Sequence, residues 1–171
     1  PIFTLGTNHI YRLKETGEIV DNCQKRPQKL FQEEELTVDD CCGYLEKAIG
    51  ILRHRNHSVK VIITVSPIRY AKYGYHGSQL SKATLLLAVD RLVRCPAFEC
   101  SGNLSYFPAY EIVNDELRDY RFYASDMLHP SQQAVDYIWE RFVDVVFSDS
   151  AKRYLQEWKP IKEALAHRPF N

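Results

Sequence analysis

Asp126 and His129 are the two residues whose types and spacing best suit acid–base chemistry. A neutral imidazole can take a proton from a nucleophile near pH 7, and a carboxylate bound to its other nitrogen fixes the tautomer and stabilises the imidazolium. Their spacing lets both side chains meet in a tight turn, and Pro130 and Ser131 then predict a helix start that would anchor it. The alternative is a capped turn with a surface Asp and His, which has the same four-residue pattern.

A second polar segment, Gly6-Thr7-Asn8, follows the first apolar run of the chain. A glycine there lets the backbone approach a ligand, and the Asn8 amide could donate to a developing oxyanion. The structural alternative is a turn asparagine after a strand. Arg69 and His76 flank a later loop and could bind an anionic or polar substrate, with simple solvation at the surface as their alternative.

No residue has the sequence setting of an activated nucleophile. The G-x-S-x-G elbow of α/β hydrolases is absent from the sequence. Ser66 precedes a proline at a predicted strand end, Ser81 opens a predicted buried helix, and Cys23 lies near a predicted hairpin. We therefore expect this chain to hold a base and its orienting carboxylate, while the nucleophile lies outside it.

The elements that would position these residues alternate between strand and helix. Strands are predicted at Ile2–Leu5, Val59–Val65 and Ser105–Phe107, and the second is apolar on both faces, as a central parallel strand should be. The alternation predicts an α/β fold with a parallel sheet covered on both faces. Ligands in such sheets lie beyond the carboxyl ends of the strands, so the segments containing Asn8, Arg69 and His129 would converge on one rim.

Helices are predicted between and after these strands. Thr37, with Asp40 three residues later, forms a box-like cap for the first helix, and Ser131 caps a long one. The helix over about residues 78–94 is almost wholly apolar, so we expect it to be buried. The remaining predictions are a hairpin of Ile10–Leu13 with Glu18–Asn22, a loop from Arg26 onward, a short helix over 110–117, and a final helix interrupted by Pro160.

The length of 171 residues predicts a single domain, with residues 150–171 as a peripheral helical tail. Only three parallel strands are visible and the first begins at residue 2, whereas a doubly wound sheet normally has more. We therefore expect the sheet to lack one or more N-terminal strands and the chain to be the C-terminal portion of its domain.

Composition excludes several classes of function. The chain has 22 basic and 22 acidic residues, so neither nucleic acid nor an anionic membrane is expected as a partner. No apolar run is long enough to cross a bilayer. The five cysteines form no C-x-x-C pair, which argues against zinc and for reduced thiols in a cytoplasmic protein. No cofactor and no metal is expected.

Two short blocks resemble those of SGNH (GDSL-like) hydrolases: Gly6-Thr7-Asn8 is similar to their G-x-N block and Asp126 to His129 to their D-x-x-H block. More specifically, the chain from residue 1 to about 147 resembles the GSCFA family. The matching stretches are Phe3 to Thr7, Val20 to Lys25, Ile63 to Arg69, Gln79 to Leu86, Tyr106 to Ile112 and onward through Asp126 to Ser131.

The resemblance implies a three-layer α/β/α, flavodoxin-like fold of the SGNH hydrolase type. It implies an ester hydrolase with His129 as base, Asp126 as its orienter and Asn8 as an oxyanion donor, acting on a small-molecule or carbohydrate ester. The residues themselves suggest Gly6, Thr7, Arg69 and His76 as the contacts of that substrate. The Gly-Ser-Cys-Phe-Ala segment that names the family, and that would supply the nucleophile, is absent from this chain. Two alternatives remain: a binding module that keeps the fold without turnover, and an interaction domain, suggested by the 11 Tyr and 8 Phe residues.

Overall fold

The computed structural model describes residues 1–20, 23, 25–99 and 102–166. Its strands are β1 (Ile2–Leu5), β2 (His9–Leu13), β3 (Ile19–Val20), β4 (Phe31–Glu35), β5 (Val61–Val65) and β6 (Leu104–Phe107). Its helices are α1 (Val38–Arg55), α2 (Gly74–Val93), α3 (Pro96–Glu99), α4 (Ala109–Glu111), α5 (Gln132–Val146) and α6 (Asp149–Ala166). A π-helix over Ile112–Leu117 follows α4 directly.

A parallel sheet with the strand order β1-β5-β6 forms the centre of the fold. Phe3 lies opposite Ile63 on β5, and Ile63 lies opposite Tyr106 on β6. The three predicted parallel strands and the central position of the second are therefore confirmed. The apolar character of β5 on both faces has a direct cause, because Ile63 packs into a core on one side and Ile62 into a core on the other.

Helices cover the two faces of this sheet and make a three-layer α/β/α fold, as the sequence predicted. On one face, β5 packs against α1 and α2 through a core that includes Cys42, Ile49 and Val89. On the other face, Phe107 of β6 packs against Phe142 of α5, with ring centres 5.0 Å apart and the rings perpendicular. Among the described helices, none combines the length and the apolar composition that crossing a bilayer requires.

The first helix begins where the sequence predicted. Thr37 accepts a hydrogen bond from the backbone N–H of Asp40, and the Asp40 carboxylate accepts one from the backbone N–H of Thr37. This reciprocal pair satisfies two donors that a helix start leaves without partners. It also lowers the pKa of Asp40, because the carboxylate accepts hydrogen bonds from the Thr37 hydroxyl and backbone N–H.

A second sheet is antiparallel and has the strand order β3-β2-β4. The predicted hairpin is confirmed for β2 and β3, whereas Asn22 lies outside the described residues. The prediction of a loop from Arg26 onward is wrong in part, because Phe31–Glu35 is β4 and pairs with all of β2. β4 is mostly polar, so it lacks the apolar alternation by which a strand is recognised in a sequence. It is held to β2 by backbone hydrogen bonds and by the Arg12–Glu34 ion pair at 3.0 Å.

Two helix predictions need correction. The second helix begins at Gly74 rather than near residue 78, and it is not buried all round, since Leu80 and Leu87 are 56% and 60% exposed. Pro160 lies inside α6 without ending it. Proline has no N–H group, so the carbonyl oxygen of Gln156 receives no helical hydrogen bond from residue 160. Because Pro160 is exposed, water can hydrate this carbonyl instead.

An apolar cleft of about 340 Å³ runs between β1 and α5. Ile2, Val135 and Trp139 line it and remain 52%, 46% and 49% exposed. Isolated exposed apolar residues are ordinary, whereas a grouped set is not. No described element of this chain covers the cleft.

Candidate functional site

The side chains of Asp126 and His129 meet in the turn before α5. Asp126 Oδ2 lies 2.6 Å from His129 Nδ1. Its other oxygen, Oδ1, accepts the backbone N–H groups of Leu128 at 2.9 Å and His129 at 3.0 Å. The left-handed backbone of Met127, with φ of 61°, folds the segment back so that one carboxylate can reach all three donors. The arrangement joins an imidazole to an oriented carboxylate, as an acid–base pair requires.

The carboxylate of this pair stays ionised over the whole neutral range. The backbone N–H of His129, followed by that of Leu128 and the imidazole, lowers the pKa of Asp126 to about 2. The His129 side chain is 58% exposed, and no described residue makes a hydrogen bond to its Nε2 atom. An imidazole held at Nδ1 and open at Nε2 is able to exchange a proton with a group that approaches from solvent.

Two neighbouring segments hold this turn in place. The backbone N–H of Ser131 donates to the carbonyl of Phe122 at 2.7 Å, and the Ser131 hydroxyl accepts the N–H of Ala134 in the first turn of α5. On the opposite side, the backbone N–H of Arg69 donates to the carbonyl of Leu128 at 3.1 Å. The segment after β5 and the start of α5 therefore both position His129.

Gly6-Thr7-Asn8 lies beyond the end of β1, where the sequence placed it, but its polar groups bind other parts of the protein. The Thr7 hydroxyl lies 3.0 Å from the Ser81 hydroxyl, which also accepts the backbone N–H of Asn8 at 2.9 Å. The Asn8 amide nitrogen donates to the carbonyl of Leu36 at 2.8 Å, and the residue is only 5% exposed. These contacts tie Asn8 to the segment before α1 and do not favour a role as oxyanion donor.

Gly6 has a steric reason to be glycine that is independent of any ligand. A Cβ atom at this position would lie 2.8 Å from the hydroxyl oxygen of Tyr70. The backbone of Gly6 can therefore be approached closely, as predicted, but in this structure Tyr70 occupies the space. The predicted contact of Gly6 and Thr7 with substrate stays a prediction.

Lys82 is a buried charged residue that the sequence analysis did not single out. It is 2% exposed, and its Nζ atom donates to the carbonyl of Gly6 at 2.5 Å. Burial lowers its pKa to about 8, because a charged amine loses hydration there. Its spacing from Leu85 and Val89 places it on the buried face of α2, and this helical spacing was the signal that could have found it.

Arg69 and His76 are separated by the structure. The Arg69 backbone contacts the His129 turn through Leu128, and its guanidinium lies over the ring of Tyr123 at 3.8 Å. His76 lies exposed in the first turn of α2 and lines neither of the two clefts that Arg69 lines. Of the predicted binding residues, Arg69 is thus the one directly joined to the acid–base pair.

The hydroxyl and thiol groups considered as nucleophiles have other positions. Ser66 accepts the backbone N–H of Ile68 at 3.3 Å, Ser81 is bound to Thr7 and Asn8, and Cys23 is a partly buried free thiol. Within the described ranges, no hydroxyl or thiol makes a hydrogen bond to His129, and no group of three His, Cys, Asp or Glu side chains could hold a metal ion.

Comparison with known proteins assigns a family but not an activity. A search of the curated proteins and a search of the solved structures each found no match. A sequence model of the GSCFA family matches residues 1–142, well over half of the 171 residues, and this stretch contains every strand of both sheets together with Asp126 and His129. The chain belongs to the GSCFA family.

Proposed function

We propose that Asp126 and His129 are the acid–base pair of an ester hydrolase. The observation that carries this proposal is the 2.6 Å contact between Asp126 Oδ2 and His129 Nδ1, together with the exposed ring beyond it. If Asp126 only capped the turn, its carboxylate would accept the backbone N–H groups and would not need to contact the imidazole. Here Oδ1 caps the turn and Oδ2 orients the ring, so the two oxygens have separate tasks.

In the proposed mechanism, His129 Nε2 takes the proton of a serine hydroxyl or cysteine thiol. The oxygen or sulfur forms a bond to the carbonyl carbon of the ester, and Asp126 stabilises the imidazolium. When the tetrahedral intermediate collapses, the C–O bond of the ester breaks and Nε2 returns the proton to the leaving alkoxide. In the second half of the reaction, Nε2 takes a proton from water and the water oxygen forms a bond to the acyl carbon. The bond between the acyl carbon and the serine or cysteine then breaks, and Nε2 returns the proton to that side chain.

The nucleophile in this proposal lies outside the 171 residues. Ser66, Ser81 and Cys23 do not contact His129, and the Gly-Ser-Cys-Phe-Ala segment expected of the family is absent from the sequence. The open Nε2 of His129 leaves room for a group contributed by another segment. By analogy of fold, the substrate is an acyl group carried by a carbohydrate or another polar metabolite.

A non-catalytic binding module is the second candidate. It is favoured by one observation: within the described residues, His129 has no hydroxyl or thiol partner. In such a module the Asp126–His129 turn would bind a ligand as a polar surface, without covalent chemistry. The hydrolase requires a Gly-Ser-Cys segment encoded in the same reading frame, whereas the binding module does not. The gene sequence therefore distinguishes the two functions.

The proposal is tested by expressing the natural reading frame that contains this chain and assaying short-chain aryl esters. We expect turnover that falls at least about a hundredfold in His129→Ala, since general acid–base catalysis contributes that much or more. His57→Ala is the control, because His57 lies exposed at the opposite edge of the sheet, in the turn before β5. Turnover unaffected by His129→Ala would exclude the mechanism, and no turnover at all would favour the binding module.

A further inference from the structure

Three aromatic rings surround the guanidinium of Arg69. Its Cζ atom lies 3.8 Å from the ring centre of Tyr123, 5.3 Å from that of Tyr120 and 5.8 Å from that of Tyr75. Tyr123 is buried and comes from the segment that leads to the His129 turn, whereas Tyr75 belongs to the first turn of α2. The rings hold the guanidinium by cation–π attraction and leave its N–H edge available for hydrogen bonds.

The charge of Arg69 is not neutralised by the part of the chain that the structure describes. Arg12 pairs with Glu34 at 3.0 Å, Arg94 with Asp90 at 2.8 Å and Arg141 with Glu116 at 3.4 Å. Among the described residues, the guanidinium of Arg69 has no such ion pair and no hydrogen-bond partner, although Arg69 is partly buried. A positioned guanidinium with free donors is suited to binding the oxygens of a carboxylate or phosphate.

Two adjoining clefts open on this guanidinium. One, of about 300 Å³, is lined by Arg69 and Tyr120 together with the polar side chains of Ser78 and Gln79. The Gln79 oxygen accepts the hydroxyl of Tyr110, so its amide nitrogen remains as a donor. The other cleft, of about 170 Å³, is lined by Arg69, Tyr120, residues of the π-helix and the segment that follows it. Together they have the size of a small-ligand site.

A second cation, Arg118, lines the smaller cleft. Its backbone is left-handed, with φ of 47°, directly after the π-helix Ile112–Leu117. Left-handed non-glycine residues and π-helices are both uncommon and cluster at functional sites. Asp119 also lines the cleft, but its carboxylate accepts the backbone N–H of Arg121 at 2.9 Å and pairs with the Arg121 guanidinium at 3.4 Å. Within the part of the chain that the structure describes, neither Arg69 nor Arg118 therefore has an ion-pair partner.

We propose that Arg69, assisted by Arg118, forms an anion subsite that binds a carboxylate or phosphate group of the substrate. This inference rests on the proposed function, because the anion that binds here would be a negatively charged substituent of the ester substrate. The backbone hydrogen bond between Arg69 and Leu128 ties the segment that holds this guanidinium to the His129 turn. Binding of the anion itself needs no nucleophile and no turnover, so it is measurable on this chain alone.

The test is titration of the ¹⁵N-labelled chain with inorganic phosphate and, separately, with succinate, followed by NMR. We expect the Arg69 side-chain ¹⁵N signal and the backbone ¹⁵N–H signals of Tyr120 and Tyr123 to shift with either anion, and the anion that binds more tightly identifies the substituent. Arg69→Gln should weaken binding about tenfold to a hundredfold, as expected for hydrogen bonds to charged groups. Arg118→Gln should weaken it less, because Arg118 is exposed and not held by the rings.

Arg94→Gln is the matched control, because it removes the same charge from an exposed arginine that is paired with Asp90. Arg69→Lys keeps the charge without the planar fork and should bind with intermediate affinity, which also guards against a folding defect in Arg69→Gln. Anion binding is measured without turnover, so this test is separate from that of the hydrolase. Equal affinity in Arg69→Gln and Arg94→Gln, or unmoved tyrosine signals, would overturn the subsite.

Discussion

The backbone N–H of Arg69 donates to the carbonyl oxygen of Leu128 at 3.1 Å, and this bond joins the end of the central strand to the turn that holds His129. The two segments are far apart in the sequence, so their contact depends on the parallel sheet that brings the strand ends to one edge. The segment that holds the Arg69 guanidinium is thereby tied to the turn of the acid–base pair, which is consistent with a polar or charged ester as ligand.

Asp126 should determine which ring nitrogen of His129 is protonated. With Oδ2 at 2.6 Å from Nδ1, the neutral ring should have its proton on Nδ1. Asp126→Ala should increase the Nε2–H tautomer, as read from ¹⁵N shifts at a pH where the ring is neutral. Asp126→Ser is the control for turn integrity, because its hydroxyl can still accept the backbone N–H groups but cannot reach the ring. If the ¹⁵N shifts are the same in all three proteins, the carboxylate does not orient the ring.

Met127→Gly should stabilise the protein by up to about 1 kcal/mol. Met127 has a φ of 61° and is 39% exposed, so glycine relieves backbone strain while little apolar burial is lost. Met127→Ala keeps the Cβ and should show no such gain. The measurement is urea unfolding of the three proteins. A lower unfolding free energy for Met127→Gly than for Met127→Ala would mean that the turn is not strained.

Gly6→Ala should destabilise the protein by about 1–3 kcal/mol, the usual effect of overpacking a filled site. The new Cβ would meet the Tyr70 hydroxyl at 2.8 Å. Because the hydroxyl is the atom in the way, Tyr70→Phe should recover part of this loss when combined with Gly6→Ala. The unfolding free energies of both single variants and the double variant form the test. Strict additivity would show that Tyr70 is not the reason for the glycine.

The sequence predicted what depends on local pattern. Val61–Val65 is apolar because it is central, and the Thr37–Asp40 cap depends on residues three apart. The strand Phe31–Glu35 escaped prediction because its partner, β2, is 18 or more residues away and its side chains are mostly charged. Turn chemistry likewise placed Asp126 beside His129.

Tertiary contacts account for what the sequence could not predict at the site. The rings around Arg69 come from two segments that both follow it in the chain: Tyr75 is near it, whereas Tyr120 and Tyr123 lie beyond the third parallel strand. No local pattern therefore brings all three rings to Arg69. The role of Asn8 depends on Leu36, which belongs to the segment before α1. A Gly-x-Asn pattern does not distinguish an amide that donates to a carbonyl of the protein from one that donates to a substrate.

The stability of the protein should depend on pH through Lys82. Its pKa is lowered from 10.5 to about 8 in the folded chain, so between these values the unfolded chain binds more protons and stability rises with pH. Compared with Lys82→Met, the wild-type unfolding free energy should gain about 3 kcal/mol over this interval. Denaturant unfolding of both proteins from pH 7 to pH 10.5 measures the difference. Parallel pH profiles would show that Lys82 is hydrated like a surface lysine.

The central claim is that His129 activates a nucleophile located outside these 171 residues. The most direct test is to react the protein expressed from the natural reading frame with p-nitrophenyl acetate. The acetylated residue is then mapped by mass spectrometry. We expect one acetylated serine or cysteine outside the present sequence, and no adduct there in His129→Ala. Acetylation of Ser66, Ser81 or Cys23, or an adduct that persists at full level in His129→Ala, would contradict the account.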